Sequence, residues 1–318
     1  MMFQVLVPQP IAEEGIELMK KHQCQVIELQ DPGERSLRNA VVSADAVLIR
    51  TAPLTESIIE SADKLKVIAR HGVGVDNIDL EAAEKKGVKV CNAPTANSNA
   101  VAEHVVGMIF NLSRHIVQGD NAVRDGEFSA RHRLIGMELK GKTLGLIGCG
   151  NIGRLVADKC HSLGMLVEVY DPYVKELPPE VKQTNDMSSL LQKADYISLH
   201  LPLTSATQYF INEEKLNLMK PSAYLINAAR GGIVNENALY QALKTKSIAG
   251  AALDCFEEEP VQPENPLWEL DNTLYTPHMA AHTREAMVSM AVEAAQEIIR
   301  VKEGNTPLNL VNNEHLHQ

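Results

Sequence analysis

The sequence has few aromatic residues and an excess of acidic over basic side chains. Phe, Trp and Tyr make up 4% of its 318 residues, so the core must be built mainly from aliphatic side chains. With 41 acidic and 30 basic residues, the formal net charge is −11. This charge disfavours binding to nucleic acid or to an anionic membrane surface, both of which call for a basic patch. No apolar run approaches the roughly 20 residues that a membrane-spanning helix needs, so no membrane partner is expected.

Cysteines are also few: the five are scattered along the chain and form no C-x-x-C pair. A disulfide framework is therefore not expected, and a reducing compartment is. The N-terminal segment "MMFQVLVPQP" has neither the basic nor the apolar region of a secretory signal, so we expect a cytoplasmic protein. His278 and His282 are four residues apart, but no third ligand is apparent near them, and we expect no metal site.

Short apolar segments alternate with helical ones along most of the chain, a pattern typical of parallel sheets built from βαβ units. At about 100–200 residues per domain, the length suggests two domains. A helix beginning near Asn97 or Ser98 is apolar on nearly every side, which is typical of a buried helix or of a subunit interface. A second βα alternation starts at residue 142, and its succession of strand signals predicts a doubly wound sheet.

The segment "LGLIGCGNIG" places Gly148, Gly150 and Gly153 in the pattern G-x-G-x-x-G, after an apolar strand and at the start of a helix. In this context the pattern is typical of a dinucleotide-binding loop, with the pyrophosphate at the N-terminus of the helix. The next strand ends in Asp171, 18 residues after Gly153, near the position expected for the acid that binds the adenosine ribose. A carboxylate there would repel a 2′-phosphate, so the sequence predicts NAD rather than NADP.

Polar side chains follow the remaining strands of this second half, where an open α/β sheet binds its ligand. These strand ends carry His200, Leu201 and Pro202, then Ala228 and Arg230, then Asp254 with Glu259 beyond it, and finally His278. Arginine binds a carboxylate bidentately, and histidine carries protons near neutral pH. A carboxylate beside the histidine would stabilise the imidazolium. Together with a dinucleotide, these groups suit hydride transfer to or from a small 2-hydroxy acid.

Taken together, the motifs resemble the D-isomer-specific 2-hydroxyacid dehydrogenase family, especially its phosphoglycerate dehydrogenase branch. The segments "GLIGCGNIG", "INAARGGIVNENAL", "AGAALDCFEEEP" and "TPHMAAHT" match the signatures of that family in order, and "RHGVGVDNID" near residue 70 fits as well. The resemblance covers nearly the whole chain. Because the sequence stops shortly after "NLVN", we expect the short form without a regulatory domain.

The resemblance implies an α/β fold of two similar doubly wound parallel-sheet lobes, one of them a Rossmann NAD-binding domain. We expect the substrate-binding domain to comprise residues 1–97, completed by 289–318, and the NAD-binding domain to comprise residues 98–288. Members of the family are usually dimers. The resemblance therefore also implies a homodimer that pairs through the helix starting near Asn97.

Residue by residue, Arg230, Glu259 and His278 match the catalytic residues of the family. The predicted cofactor contacts are Gly148, Gly150, Asn151, Ile152, Gly153, Asp171, His200, Leu201, Pro202, Ala228, Ala229, Asp254, His278 and Ala280, with Asp254 expected to face the carboxamide. The predicted substrate contacts are Arg50, Arg70, His71, Val73 and Gly74 in the first lobe and Arg230 in the second. His71 stands where the phosphoglycerate enzymes often have a small residue, so the substrate pocket is expected to differ there.

The sequence leaves the substrate open among 2-hydroxy acids and 2-keto acids. Arg50 and Arg70 suit a second anionic group, as in 3-phosphoglycerate, or they pair with acids of their own lobe. A hydroxypyruvate or glyoxylate reductase is the alternative enzyme. An NAD-sensing interaction protein, similar to the corepressors of the superfamily, is the alternative of another class. The chain lacks the extra tails of those corepressors, which favours the enzyme.

Overall fold

A computed structural model of the chain describes residues 2–312, and the last six residues of the predicted tail lie outside the described residues. The first part of the chain contains β1 (Phe3–Val7), α1 (Glu13–Lys21), β2 (Cys24–Glu28), α2 (Glu34–Val41), β3 (Ala46–Ile49), α3 (Glu56–Glu60), β4 (Val67–Arg70), α4 (Leu80–Lys85) and β5 (Lys89–Cys91). Next come α5 (Ser98–Arg114), α6 (Ile116–Arg124), a 3-10 helix (Phe128–His132), β6 (Thr143–Ile147), α7 (Asn151–Ser162), β7 (Leu166–Tyr170), β8 (Lys182–Gln183), α8 (Met187–Lys193) and β9 (Tyr196–Leu199). The remaining elements are α9 (Glu213–Leu218), β10 (Tyr224–Asn227), α10 (Glu236–Lys244), β11 (Gly250–Leu253), a second 3-10 helix (Pro266–Glu269), β12 (Thr273–Tyr275) and α11 (Arg284–Lys302).

The chain divides into two compact units, one of Met1–Asn97 with His282–Gln318 and one of Ser98–Ala281. The chain passes from the first unit to the second between Asn97 and Ser98 and returns between Ala281 and His282, just before α11. The functional domains, with a boundary after residue 97 and another after residue 288, stay a prediction. The helix begins where the Thr283 side chain accepts a hydrogen bond from the Ala286 N–H, at 3.1 Å, as its N-cap. The return to the first unit is therefore set by the start of this helix.

The first unit contains a five-stranded parallel sheet in the order β2-β1-β3-β4-β5. Its strand order reverses between β1 and β3, which in a doubly wound sheet leaves a crevice at the carboxyl ends of those two strands. Apolar clusters cover both faces of the sheet, and one of them contains Ala294, Ala295 and Ile298 of α11. The closing helix thus belongs to the core of the unit formed by the start of the chain.

The second unit contains a seven-stranded parallel sheet in the order β12-β11-β10-β9-β6-β7-β8. Its strand order reverses between β6 and β9, so the carboxyl ends of these strands flank the crevice where such sheets bind ligands. Two apolar clusters lie on its opposite faces, one with α8, α9 and α10 and the other with α5 and α7. The two doubly wound parallel sheets confirm the predicted fold class.

Many of the apolar residues of helix α5 lie in the core of the second unit, while Val106 and Phe110 are half-buried, and pairing through this helix stays a prediction. Ala102, Val105, Met108, Ile109 and Leu112 are all buried in the cluster shared with β6 and α7. Exposed apolar side chains appear immediately afterwards, on α6 and the segment that follows it. The all-round apolar character of α5 therefore reflects burial within its own unit. None of the helices within residues 2–312 is long and apolar enough to cross a membrane.

Candidate active site

The glycine loop joins β6 to α7 and has the geometry of a phosphate-binding turn. Gly148 has φ +90°, and a Cβ there would lie 2.4 Å from the His200 carbonyl oxygen. A Cβ on Gly153 would lie 2.6 Å from the Gly148 carbonyl oxygen, so this glycine permits close packing of helix and turn. A Cβ on Gly150 would meet nothing within 4 Å, and no side chain caps α7 at this residue. The N-terminus of the helix is therefore open to a ligand where the pyrophosphate of a dinucleotide would lie.

Asp171 follows β7 and is bonded directly to the glycine loop. Its Oδ2 accepts a hydrogen bond from the Cys149 N–H at 2.8 Å, and its Oδ1 accepts one from the Tyr173 N–H at 2.9 Å. These bonds hold the carboxylate at the end of the strand, next to the loop, where a ribose would be bound. Asn151 and Ile152 form the first turn of α7, behind the N-cap Gly150.

The ends of β9 and β10 carry the next group of predicted cofactor contacts. His200 follows β9, and its Nε2 lies 3.0 Å from Ser198 Oγ. Burial lowers the pKa of His200 to about 4, so the ring is neutral near pH 7. Leu201 is half-buried and Pro202 is exposed, while Ala228 and Ala229, after β10, are both half-buried.

Arg230 and Gly231 form the turn that follows β10. The Arg230 guanidinium donates to the Ala229 carbonyl oxygen at 2.6 Å, and the Asn227 side chain donates to the Arg230 carbonyl oxygen at 2.8 Å. A Cβ on Gly231 would lie 1.7 Å from the Phe256 carbonyl oxygen. Only glycine allows the turns after β10 and β11 to come so close, and this contact brings the arginine turn next to the loop that carries Glu259.

Glu259 and His278 form the closest acid–histidine pair of the site. His278 Nδ1 lies 2.6 Å from Glu259 Oε2, and Glu259 Oε1 accepts a hydrogen bond from the Phe256 N–H at 3.0 Å. Partial burial pushes the pKa of Glu259 upward. The bonds from His278 and Phe256 and the positive charges of His278 and Arg230 outweigh that effect, so the pKa lies below its usual value. The glutamate is therefore ionised beside the imidazole. About half of the His278 side chain is exposed to solvent.

Asp254 holds the turn on which His278 stands. It is fully buried at the end of β11, where Oδ1 accepts from the Thr276 hydroxyl at 2.6 Å and from the Met279 N–H at 2.9 Å. Oδ2 accepts from the N–H of Ala280 at 2.9 Å. These bonds fix the backbone on both sides of His278, whose φ of 49° is left-handed. The observed role of Asp254 is to position this turn, and its contact with a carboxamide stays a prediction.

Several residues that support the pair were not identified from the sequence. The Glu236 N–H donates to Glu257 Oε1 at 2.7 Å, and the Glu257 N–H donates to Glu236 Oε1 at 2.6 Å. This reciprocal pair fastens the Glu259 loop to the N-terminus of α10. Phe256 also packs edge-on against Trp268, with ring centroids 5.6 Å apart. The two glutamates are 21 positions apart in sequence, and neither the spacing nor the composition signals their contact.

His104, on α5, completes the hydrogen-bond network behind this turn. Its Nε2 lies 3.0 Å from Thr276 Oγ1 and 3.7 Å from Asp254 Oδ1. Since Thr276 donates to Asp254, the three side chains form one chain of contacts that leads to the backbone of His278. A histidine on an apolar helix gives no sequence signal for such a position.

In the first unit, the predicted substrate residues gather at the ends of β3 and β4. Arg50 Nη1 donates to the Pro10 carbonyl oxygen at 2.8 Å, and Arg70 donates to the carbonyl oxygen of His71. Val73 is half-buried and its carbonyl oxygen accepts from the Asn92 side chain at 2.8 Å, while Gly74 is half-buried in the same loop. Within residues 2–312, Arg50 forms no salt bridge with a carboxylate, so the alternative that it pairs with an acid of its own unit is not observed.

His71 differs from the neighbouring predicted contacts because its ring is buried, with 3% of the residue exposed. Its Nε2 lies 3.3 Å from the Met287 carbonyl oxygen, on α11 of the same unit. Burial, followed by the charges of Arg50 and Arg70, lowers the pKa of His71 to about 4. The ring is therefore neutral near pH 7, and its predicted contact with a substrate stays a prediction.

Comparisons with known proteins agree with this arrangement. A sequence model described as "D-isomer specific 2-hydroxyacid dehydrogenase, NAD binding domain" matches residues 106–280. A D-3-phosphoglycerate dehydrogenase of Methanocaldococcus jannaschii is 41% identical over 100% of this chain, and the match covers 61% of that enzyme. A glyoxylate reductase of Thermofilum pendens is also 41% identical, over 98% of this chain and 95% of that enzyme.

Among solved structures, a protein of Thermus thermophilus has a TM-score of 0.90 at 33% identity, covering 97% of this chain and 100% of that one. In the sequence comparisons, the chain spans about three fifths of the length of the phosphoglycerate dehydrogenases that it matches. It spans almost the full length of the glyoxylate reductase.

Proposed function

The chain belongs to the D-isomer specific 2-hydroxyacid dehydrogenase family and carries its NAD-binding domain. On that premise, we propose that it interconverts a small D-2-hydroxy acid and its 2-keto acid with NAD as the cofactor. The observation that carries this proposal is the 2.6 Å contact between His278 and Glu259. Both residues follow strands of the sheet that also carries the open glycine loop. An acid-paired histidine beside a dinucleotide site suits a reaction in which a hydroxyl loses a proton as its carbon loses a hydride.

His278 is the proposed general acid and base. In the oxidation of a hydroxy acid, a ring nitrogen of His278 accepts the hydroxyl proton, and in keto-acid reduction the imidazolium returns a proton to the carbonyl oxygen. Glu259 is ionised beside the ring and stabilises the imidazolium. Asp254 keeps His278 in place through the backbone of its turn.

Arg230 is proposed to bind the carboxylate that all these substrates share. Its position in the turn after β10, with its charge acting on Glu259, brings it close to the proton-transfer pair. A guanidinium keeps its charge at any working pH and can hold a carboxylate with two hydrogen bonds, which fixes the orientation of the substrate.

NAD is the proposed cofactor, and when bound it supplies or accepts the hydride. The N-cap Gly150 and the first turn of α7 suit its pyrophosphate, while Asp171 suits the two ribose hydroxyls. A 2′-phosphate would meet the Asp171 carboxylate, so kcat/KM with NADH should greatly exceed that with NADPH. Equal use of the two cofactors would contradict this role of Asp171.

For the substrate, we propose an acid with a second anionic group, such as 3-phosphoglycerate. Arg50 supports this choice, because within the described residues its hydrogen bond goes to a carbonyl oxygen and not to a carboxylate. The test is kcat/KM for phosphohydroxypyruvate and hydroxypyruvate with NADH, in the wild type and in Arg50→Ala. The wild type should prefer the phosphorylated acid, and the variant should lose that preference selectively.

A glyoxylate or hydroxypyruvate reductase is the second candidate. It is favoured by the similarity to the Thermofilum pendens glyoxylate reductase, which extends over almost the whole length of both chains. Equal kcat/KM for the phosphorylated and unphosphorylated acids in the wild type would favour this second activity.

We also propose a homodimer, with a surface formed by α6 and the segment after it. Five of the exposed large apolar side chains lie in this part of the chain, namely those of Ile116, Val117, Val123, Phe128 and Ile135. An exposed apolar patch of this kind is typical of an interaction site. Sedimentation of the wild type should give a dimer, and Val123→Asp with Phe128→Asp should shift it towards the monomer.

The buried cysteine thiols suit a reducing compartment, so we propose a cytoplasmic location.

A further inference from the structure

Cys255 lies beside the proposed proton-transfer pair. It follows Asp254 at the end of β11, it is buried, and its Sγ lies 3.6 Å from the Ala229 carbonyl oxygen. One ligand atom each of Cys255, Glu259 and His278 can be chosen such that all three lie within 4.8 Å of one another. A thiol, a carboxylate and an imidazole therefore converge at one point.

We propose that Cys255, Glu259 and His278 form a binding site for a thiophilic divalent cation such as Zn²⁺. Zinc prefers sulfur, nitrogen and oxygen ligands of these types, in tetrahedral geometry. With bonds of about 2.0–2.3 Å, the ligand atoms of such a site are roughly 3.3–3.7 Å apart. Small adjustments of the three side chains would reach these distances, since all three ligand atoms lie within 4.8 Å of one another.

The surroundings of the three side chains hold them in place for a cation. Glu259 Oε1 is fixed by the Phe256 N–H, and the backbone N–H of His278 donates to the Asp254 carbonyl oxygen at 2.9 Å. Such outer bonds orient metal ligands and raise affinity. Glu259 and His278 both expose part of their side chains, so the cation has access from solvent and the fourth coordination position is open to water.

The charges of the three groups also suit a divalent ion. On binding, the Cys255 thiol loses its proton to solvent. The His278 ring stays neutral, because a proton that leaves the metal-bound ring nitrogen is replaced by one on the other ring nitrogen. A thiolate and a carboxylate then compensate the two positive charges of the metal. No electron transfer or further reactant is involved. The Arg230 guanidinium, whose charge acts on Glu259, opposes binding and limits the affinity.

The consequence for activity rests on the proposed function. A cation bound to the ring nitrogen and to Glu259 removes His278 from proton transfer. Zn²⁺ is therefore expected to inhibit the enzyme, and this inhibition should depend on Cys255. Nonspecific binding of Zn²⁺ to acidic groups on the surface would not depend on that cysteine.

The binding test uses Co²⁺ as an optical probe of the full-length protein. Wild-type protein freed of metal should bind one Co²⁺ per chain with a thiolate-to-cobalt charge-transfer band, which Zn²⁺ should displace. Cys255→Ala should lose the band and bind more than about tenfold more weakly, as expected when a metal ligand is removed. Cys24→Ala, which removes a buried thiol of the other unit, should keep the band. Cys255→Ser also removes the thiol and should lose the band as well. Thermal melting of both Cys255 variants shows whether they are folded.

The kinetic test measures the Zn²⁺ concentration that halves each variant's own metal-free rate of keto-acid reduction. This concentration should rise at least about tenfold in Cys255→Ala and stay unchanged in Cys24→Ala. No charge-transfer band in the wild type, or a band that persists in the folded Cys255 variants, would overturn the proposal. If no keto acid is turned over, the proposed function fails, while the optical titration still decides the metal site.

Discussion

His278 and His71 both follow strands of parallel sheets, and their surroundings give them different chemistry. His278, after β12, is exposed and lies 2.6 Å from the ionised Glu259. His71, after β4, is buried, and burial with the nearby charges of Arg50 and Arg70 lowers its pKa to about 4. Both lie at strand ends, where α/β sheets bind ligands. On the proposed function, His278 and not His71 should carry the proton, because only His278 has both an adjacent acid and access to solvent.

The largest difference is expected when each histidine is replaced by asparagine. Asn tolerates the left-handed φ of 49° at position 278. Because general acid and base catalysis contributes about 10²–10⁴-fold, His278→Asn should lose that factor in kcat for keto-acid reduction. NADH binding, followed by fluorescence titration, should be retained. His71→Asn should lose less than about tenfold in kcat, since its ring carries no proton for the reaction. Similar losses in both variants would remove the distinction between the two sites.

Two glycines, Gly231 in the second unit and Gly72 directly after His71 in the first, should differ in how much a substitution by alanine destabilises the fold. A Cβ on Gly231 would collide with the Phe256 backbone at 1.7 Å, whereas a Cβ on Gly72 would lie 3.0 Å from the mobile end of Arg70. Gly231→Ala should therefore lower the free energy of unfolding by about 3 kcal/mol or more, as severe backbone clashes do. Gly72→Ala, at φ +136°, should cost about 1–3 kcal/mol through conformational strain. Urea denaturation measures both, and a smaller cost for Gly231→Ala would contradict the close approach of the two turns.

His71 should also make stability depend on pH. The unfolded chain has the ordinary histidine pKa of about 6.5, so it takes up a proton before the folded state does as the pH falls. The stability that the neutral ring contributes is therefore fully present above pH ~6.5 and is lost as the pH falls towards 4. Between pH ~7 and pH ~5 this loss should be about 2 kcal/mol. Urea denaturation should show that His71→Gln loses less free energy of unfolding over this pH interval than the wild type does, by that amount. The same pH dependence in both proteins would contradict the burial of a neutral ring.

The glycine loop and the strand ends were predictable because their signals are local. The pattern of Gly148, Gly150 and Gly153 after an apolar strand predicted the turn that the structure contains. The parallel character of both sheets follows from the same βα alternation. The strands β5 and β8 have only three and two residues, which is too short for a periodic pattern to indicate a strand.

What the sequence could not supply were contacts between distant segments and the degree of burial. The reciprocal bonds of Glu236 and Glu257 depend on the approach of two loops, as does the position of Cys255 beside His278. The burial of His71 depends on α11, which returns from the other end of the chain. The apolar pattern of α5 fits both an internal helix and an interface helix, and its packing against the second sheet could not be predicted from that pattern.

The pH dependence of keto-acid reduction in Glu259→Gln tests most directly whether His278 and Glu259 act as one proton-transfer unit. Glu258→Gln is the matched control, since Glu258 is exposed and bonds to the Gln262 side chain at 2.8 Å. Without the carboxylate, the protonated imidazole is less stable, so the pH at which kcat/KM falls to half should move down by about one unit. The Glu258→Gln profile should match the wild type. A Glu259→Gln profile that superimposes on the wild type would contradict the account.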